Sequence, residues 1–243
     1  MKISKEQKEL TKRRILRAAV ELMEEKGYKN TSMRQIARKA EIGDATIYKY
    51  FPVKEKILLD YFDLKTQDVV AEVQQVEDLS EFSLQEKLQL FLETYLQQLL
   101  ADREFVQQSL EMIFHSPQFL FQKTLPIKKE LLRAYEEFLH DALESEEIPN
   151  FPLQGVLPEL MVEYTFAIIF YWLRDESEEF ADTTQVIDVS LDLGITFLKS
   201  GVINKGLDLM GVLFKGQMFR LLGGSMGTLK KLQTIGGLMG GKW

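Results

Sequence analysis

Thr46, Tyr48, Lys49 and Tyr50 crowd into the short run GDATIYKYFPVKEKIL, residues 43–58. A hydroxyl, two phenols and an ammonium at this spacing can hydrogen-bond phosphates and base edges, which is the chemistry of holding a nucleic acid. The same two tyrosines can equally pack between helices, so the run alone leaves both readings open. Elsewhere the chain offers little reactive material. It has no cysteine, so disulfides, thiolate nucleophiles and thiolate metal sites are excluded. Only His115 and His140 are present, and there is no nucleophile elbow, phosphate loop or metal-ligand cluster. No enzyme activity, cofactor or metal is therefore expected.

The elements that must position the run are helical. Over 243 residues, 45% hydrophobic and 28% charged, the periodicity is that of helices throughout, without alternating strands or hairpin turns, so the fold class is all-α. Charge is segregated along the chain. Residues 1–60 carry 15 Lys+Arg against 9 Asp+Glu, whereas residues 61–200 carry 9 against 27. A basic head on an acidic body favours contact of the head with a polyanion while the body is repelled.

A first helix should begin near Ser4 and stop at Gly27, with Ile15, Leu16, Ala19, Leu22 and Met23 forming its inner stripe. A second begins at Ser32, with Gln35 placed to reach back and Ile36, Ala37 and Ala40 facing inward. After a tight connection at 40–43 comes the short third helix. Ile47 and Phe51, four apart, anchor it beside Ile36 and Ile42. Thr46, Lys49 and Tyr50 are carried outward and Tyr48 sits at the border. Helix, short turn and helix behind a supporting helix is the helix-turn-helix layout.

From Thr11 to Leu58 these residues resemble the N-terminal domain of the TetR family of bacterial transcription regulators. The resemblance rests on ILRAAVEL, the Gly27–Tyr28 pair, Thr31–Ser32, IARKA and YKYF followed by Lys54 and Glu55, in that order. It implies an all-α protein with a helix-turn-helix DNA-binding domain at 1–58 and a helical ligand-binding and dimerisation domain at 59–200. It also implies a homodimer on a double-stranded operator, commonly a repressor released by a small-molecule effector. By position, Thr31, Ser32, Met33 and Arg34 would lie near the phosphate backbone. Thr46 and Lys49 would face bases or phosphates, Tyr48 and Tyr50 would hold the backbone, and Lys54 would add a phosphate contact. The chain departs from the family's habit where Glu41 replaces a turn glycine, Gly43 a capping serine, and Asp44 and Ala45 a lysine and a glycine. Asp44 and Ala45 remain in the expected DNA face. Asp44 is read either as a partner of the helix dipole or as an acceptor from a cytosine amino group. Because of Asp44, a helical adaptor that has lost DNA binding stays open as an alternative.

Beyond Leu58 nothing interrupts the helix until about Gln75, so one helix should join head to body. Further helices are expected at 84–100, 103–115, 117–123, 126–145, 156–174 and 183–199. The nearly all-apolar 156–174 helix and the amphipathic 183–199 helix are the candidate four-helix dimer interface. Phe91, Tyr95, Phe114, Phe138, Phe166 and Phe170 are the candidate lining of a hydrophobic effector cavity, ordinary core being the competing reading. The extension 201–243 holds 11 of the 15 glycines and is basic. It is expected to dock as an extra helix, rather than lie on a membrane surface, and to be poorly ordered beyond about Gly223. Lacking a signal sequence or a stable membrane-spanning stretch, the chain is expected to be cytoplasmic.

Overall fold

The computed structural model describes residues 4–115, 126–151, 154–202, 204–206 and 209. Nine α-helices and three 3-10 turns make up the described residues, which contain no strand. The expected helix at 117–123 and nearly all of the 201–243 extension lie outside them.

The head consists of α1 (Lys5–Lys26), α2 (Met33–Lys39) and α3 (Asp44–Tyr50). Ser4 caps α1 by accepting from the Gln7 amide at 3.1 Å. Gly27 ends it at φ +78, a conformation that suits a residue without Cβ. Ser32 and Gln35 form a complete capping box at the start of α2. The connection to α3 turns through Glu41 at φ +54, the position where a glycine was expected. Gly43 gives α3 no side-chain cap, and Asp44 in the first turn supplies the negative charge.

A single helix, α4 (Lys54–Val73), leaves the head and enters the body, so the expected boundary at 58/59 falls inside a continuous helix. It packs on α1, on α5 (Leu84–Leu100) and on α7 (Pro126–Glu144). Helix α6 (Arg103–His115) reaches back to α1. Helices α8 (Leu157–Trp172) and α9 (Ala181–Lys199) close the body, α8 against α7 and α9 against α5. One continuous apolar core runs from Ile15 in the head to Leu198 in α9. Arg103 at the start of α6 locks this arrangement. Its guanidinium donates to the carbonyls of Trp172, Leu173 and Asp175 at 2.9–3.1 Å, closing the C-terminal end of α8.

No described helix is long and apolar enough to cross a membrane.

Candidate DNA-reading face and body cavities

Helix α3 is held from below by Ile47 and Phe51, both fully buried, as their four-residue spacing predicts. Above them Asp44, Ala45, Tyr48 and Lys49 are exposed, with Thr46 half-buried. Tyr48 is 52% exposed and stands further out than the border position expected of it. Tyr50 goes the other way, half-buried and packed against the core. Lys49 has no ion-pair partner among the described residues.

Arg34 and Asp44, from α2 and α3, meet across the turn at 3.0 Å, both well exposed. Asp44 is thus matched within the protein, which neither reading of it anticipated. Ser32 stays exposed while its hydroxyl serves the capping box. Three residues expected near phosphate are turned to structural work. Thr31 is 2% exposed, and its hydroxyl faces the carbonyls of Leu22 and Gly27 at 3.1 and 3.0 Å, pinning the α1–α2 loop. Met33 is buried in the core of the head. Lys54 donates to the carbonyls of Tyr28 and Thr31, the latter at 2.7 Å, and sits 3.9 Å over the Tyr28 ring. That burial lowers its pKa from the ordinary lysine value. Packing around the α1–α2 loop takes the side chains of all three inward.

The head is fastened to α4 by charge. Arg13 of α1 makes a two-pronged pair with Asp68 at 2.9 and 2.7 Å. Lys12 and Lys56 both reach the buried Asp60 at 3.2 and 2.8 Å. Further along α4, Tyr61 donates to Asp102 at 2.7 Å and Lys65 pairs with the same carboxylate at 3.1 Å. Thr66 donates to the Phe62 carbonyl and so accepts from Tyr95 of α5 at 2.8 Å.

Two cavities flank the α5–α7 pair. The first, about 310 Å³, lies against α4. Val70, Val73, Phe91 and Phe138 form its apolar wall and Lys87 pairs with Asp141 at 2.7 Å on its polar side. The second, about 340 Å³, lies against α8 and α9, with Leu88, Leu92, Tyr135, Leu191 and Ile195 among its lining. Of the expected effector residues, Phe91 and Phe138 therefore line a cavity. Tyr95 is fully buried and ties α5 to α4 instead, and burial pushes its pKa up so that the phenol stays protonated. Phe166 is core, Phe170 is half-buried, and neither lines these cavities. The Phe114 side chain lies outside the described residues. Leu88, Leu92 and Tyr135 were missed, although Leu88 and Leu92 repeat the four-residue spacing of the aromatic stripe one position along. Among the described residues no group of three or more His, Asp or Glu is arranged to hold a metal.

Residues 15–61 match the family model described as "Bacterial regulatory proteins, tetR family", and residues 87–213 that described as "Tetracyclin repressor-like, C-terminal domain". The chain belongs to the TetR family. It is a transcriptional regulator and not an enzyme. The chain is 32% identical over 135 residues to the "Fatty acid metabolism regulator protein" of Bacillus subtilis (strain 168), covering 55% of this chain and 69% of that one. A shorter match, 42% over 48 residues, is to an uncharacterised HTH-type regulator, YvkB, of the same organism, covering 20% of this chain and 25% of that protein. The TetR regulator from Nitrosomonas europaea shares the fold at TM-score 0.59 and 18% identity, covering 75% of this chain and 96% of that one. Thermus thermophilus FadR, a TetR-family repressor solved with lauroyl-CoA, shares it at TM-score 0.55 and 20% identity, over 74% and 92% of the two chains.

Proposed function

We propose that this TetR-family regulator is a homodimeric repressor that leaves a palindromic operator when an apolar effector carrying an acyl chain occupies its body. The single observation carrying the reading is the course of α4. Three residues separate the start of this helix from the end of the recognition element, and it is tied to α1 by the Lys12–Asp60 pair and, further along, by Arg13–Asp68. The other end supplies Val70 and Val73 to the first cavity. A ligand entering there presses on the same rigid rod that sets the position of α3. Two recognition helices must match major grooves about one helical turn apart, so a small tilt of each rod breaks the match. The fatty acid metabolism regulator among the relatives and the lauroyl-CoA of the Thermus protein support an acyl effector. The apolar walls of both cavities suit it.

Tyr48, Lys49 and Thr46 contact the operator in this reading, with Arg34, Ser32 and Ala45 beside them, while Thr31, Met33 and Lys54 shape the loop that supports them. Asp44 was the residue favouring a DNA-independent adaptor. Its charge is taken up by Arg34, which leaves Lys49 and Arg38 unopposed on the head among the described residues. The test begins with an operator selected from random duplex, followed by anisotropy titrations. Tyr48→Ala with Lys49→Ala is expected to weaken binding by more than a hundredfold at fixed salt. Wild-type affinity should fall steeply as salt rises, because cationic side chains release counterions from DNA. Acyl-CoA thioesters should release the duplex; full retention of DNA by the double variant overturns the assignment of the face.

A further inference from the structure

Side chains of α5 and α7 meet between the two body cavities. Phe91, on the wall of the first, meets Tyr135, on the wall of the second, with ring centroids 5.3 Å apart and planes at 60°. Phe138 braces Phe91 from the first cavity at 5.9 Å. The two aromatic walls differ in how they are held. Tyr135 is pinned through its hydroxyl to Thr165 of α8, which itself donates to the Met161 carbonyl. Phe91 has packing alone, and rings held only by packing can change rotamer when a ligand offers equivalent apolar contact.

The cavities also differ in chemistry. The first has a polar side, where the buried Lys87 ammonium meets Asp141 and the exposed Glu137 stands nearby. The second is walled by leucine, isoleucine and aromatic carbon, and its few hydroxyls are already engaged, Tyr164 with Ser190 and Tyr135 with Thr165. Polar at one end and apolar at the other is the profile of a linear amphiphile.

We propose that the two cavities are successive chambers of one site for such an amphiphile, its polar end at the solvent-facing side of the first and its tail reaching the second, with the Phe91 ring as the movable partition between them. The proposal rests on the acyl-effector reading above and adds what sets the accepted chain length. Short chains stay in the first chamber. Longer ones displace Phe91, and because Phe91 lies one turn before Tyr95, whose hydroxyl meets Thr66 of α4, that displacement bears on the rod that positions the head.

Saturated acyl-CoA thioesters from octanoyl to stearoyl, titrated calorimetrically into the full-length protein, test this. Each methylene entering apolar space is worth about fourfold in Kd. The wild type should show that gain interrupted at an intermediate length, where the partition has to move, and then resumed. Phe91→Leu shortens the partition and should remove the interruption. Gly194→Leu points a new side chain into the second chamber from a position where an added Cβ meets no atom within 4 Å, so it leaves the helix unstrained. It should cost the longest chains tenfold or more and leave octanoyl binding unchanged, with sedimentation checking that the assembly is intact. A length profile the same in all three proteins, or an equal loss at every length in Gly194→Leu, overturns the chambers while leaving an acyl effector in place. Absence of binding by every thioester overturns the acyl reading itself and the chambers with it.

Discussion

Glu41 holds the turn of the helix-turn-helix at φ +54, a left-handed conformation that costs a residue with a Cβ about 1–2 kcal/mol. Glu41→Gly should therefore raise the urea-unfolding free energy, by about 1 kcal/mol after the extra chain entropy of glycine is set against the relief. A lowered midpoint would mean that the glutamate side chain contributes something its exposure does not suggest. Asp44 is the second residue with a measurable signature. Asp44→Asn removes the carboxylate that holds Arg34 and releases a cation on the reading face. Operator affinity is expected to rise severalfold, and the slope of log K against log salt to steepen by about one, the mark of one further phosphate contact. An unchanged slope would place Arg34 away from DNA. Both residues were visible in the sequence as departures from the family pattern. What each does about its departure, strain in one case and an internal ion pair in the other, depends on where the α2–α3 turn puts it.

Among the helices, α9 has an anchor that titrates. Asp175, between α8 and α9, is buried and accepts from the amides of Ser177 and Thr183, each at 2.8 Å, and from both hydroxyls. Burial pushes its pKa up, but the Ser177 and Thr183 donors outweigh burial and hold the carboxyl well below the usual carboxylate range. The sign follows from linkage. A depressed pKa means the unfolded chain takes up the proton first, so the stabilisation is complete above about pH 4 and is lost as pH falls below that. The melting temperature of the wild type should drop through this acid window. Asp175→Asn should start lower at neutral pH and decline less below pH 4, read by circular dichroism at 222 nm, roughly the helical minimum. Identical acid limbs would remove Asp175 from the anchoring. The sequence marked this stretch only as an acidic break between helices; that one of its carboxylates is folded inward is a tertiary fact.

At the scale of the whole molecule, Val189, Leu193 and Phe197 lie four apart on α9 and point outward, Leu193 being 69% exposed, with Leu160 and Tyr171 exposed on the neighbouring α8. An apolar stripe of this extent on a water-facing helix pair calls for a partner, and a second copy with the same stripe satisfies it by two-fold symmetry. Leu193→Glu should shift sedimentation equilibrium towards single chains and weaken operator binding by tenfold or more, since each head then holds its half-site alone. A variant that stays dimeric would place the interface elsewhere.

The sequence by itself determined the helices, the head's helix-turn-helix layout, the inward anchors Ile47 and Phe51, and the single rod from head to body. These follow from periodicity, caps and breakers acting over a few residues, so local patterns report them. Which face of a loop residue meets solvent was decided only in the tertiary structure. Thr31 and Lys54 turned inward to donate to carbonyls at the end of α1 and in the α1–α2 loop, and for Lys54 those carbonyls lie more than twenty residues away, beyond any local pattern. The division of the aromatic residues into core, tether and cavity wall was decided there too. A ring's role depends on which helix lies opposite it, and that is set by how α4, α5, α7, α8 and α9 share one core.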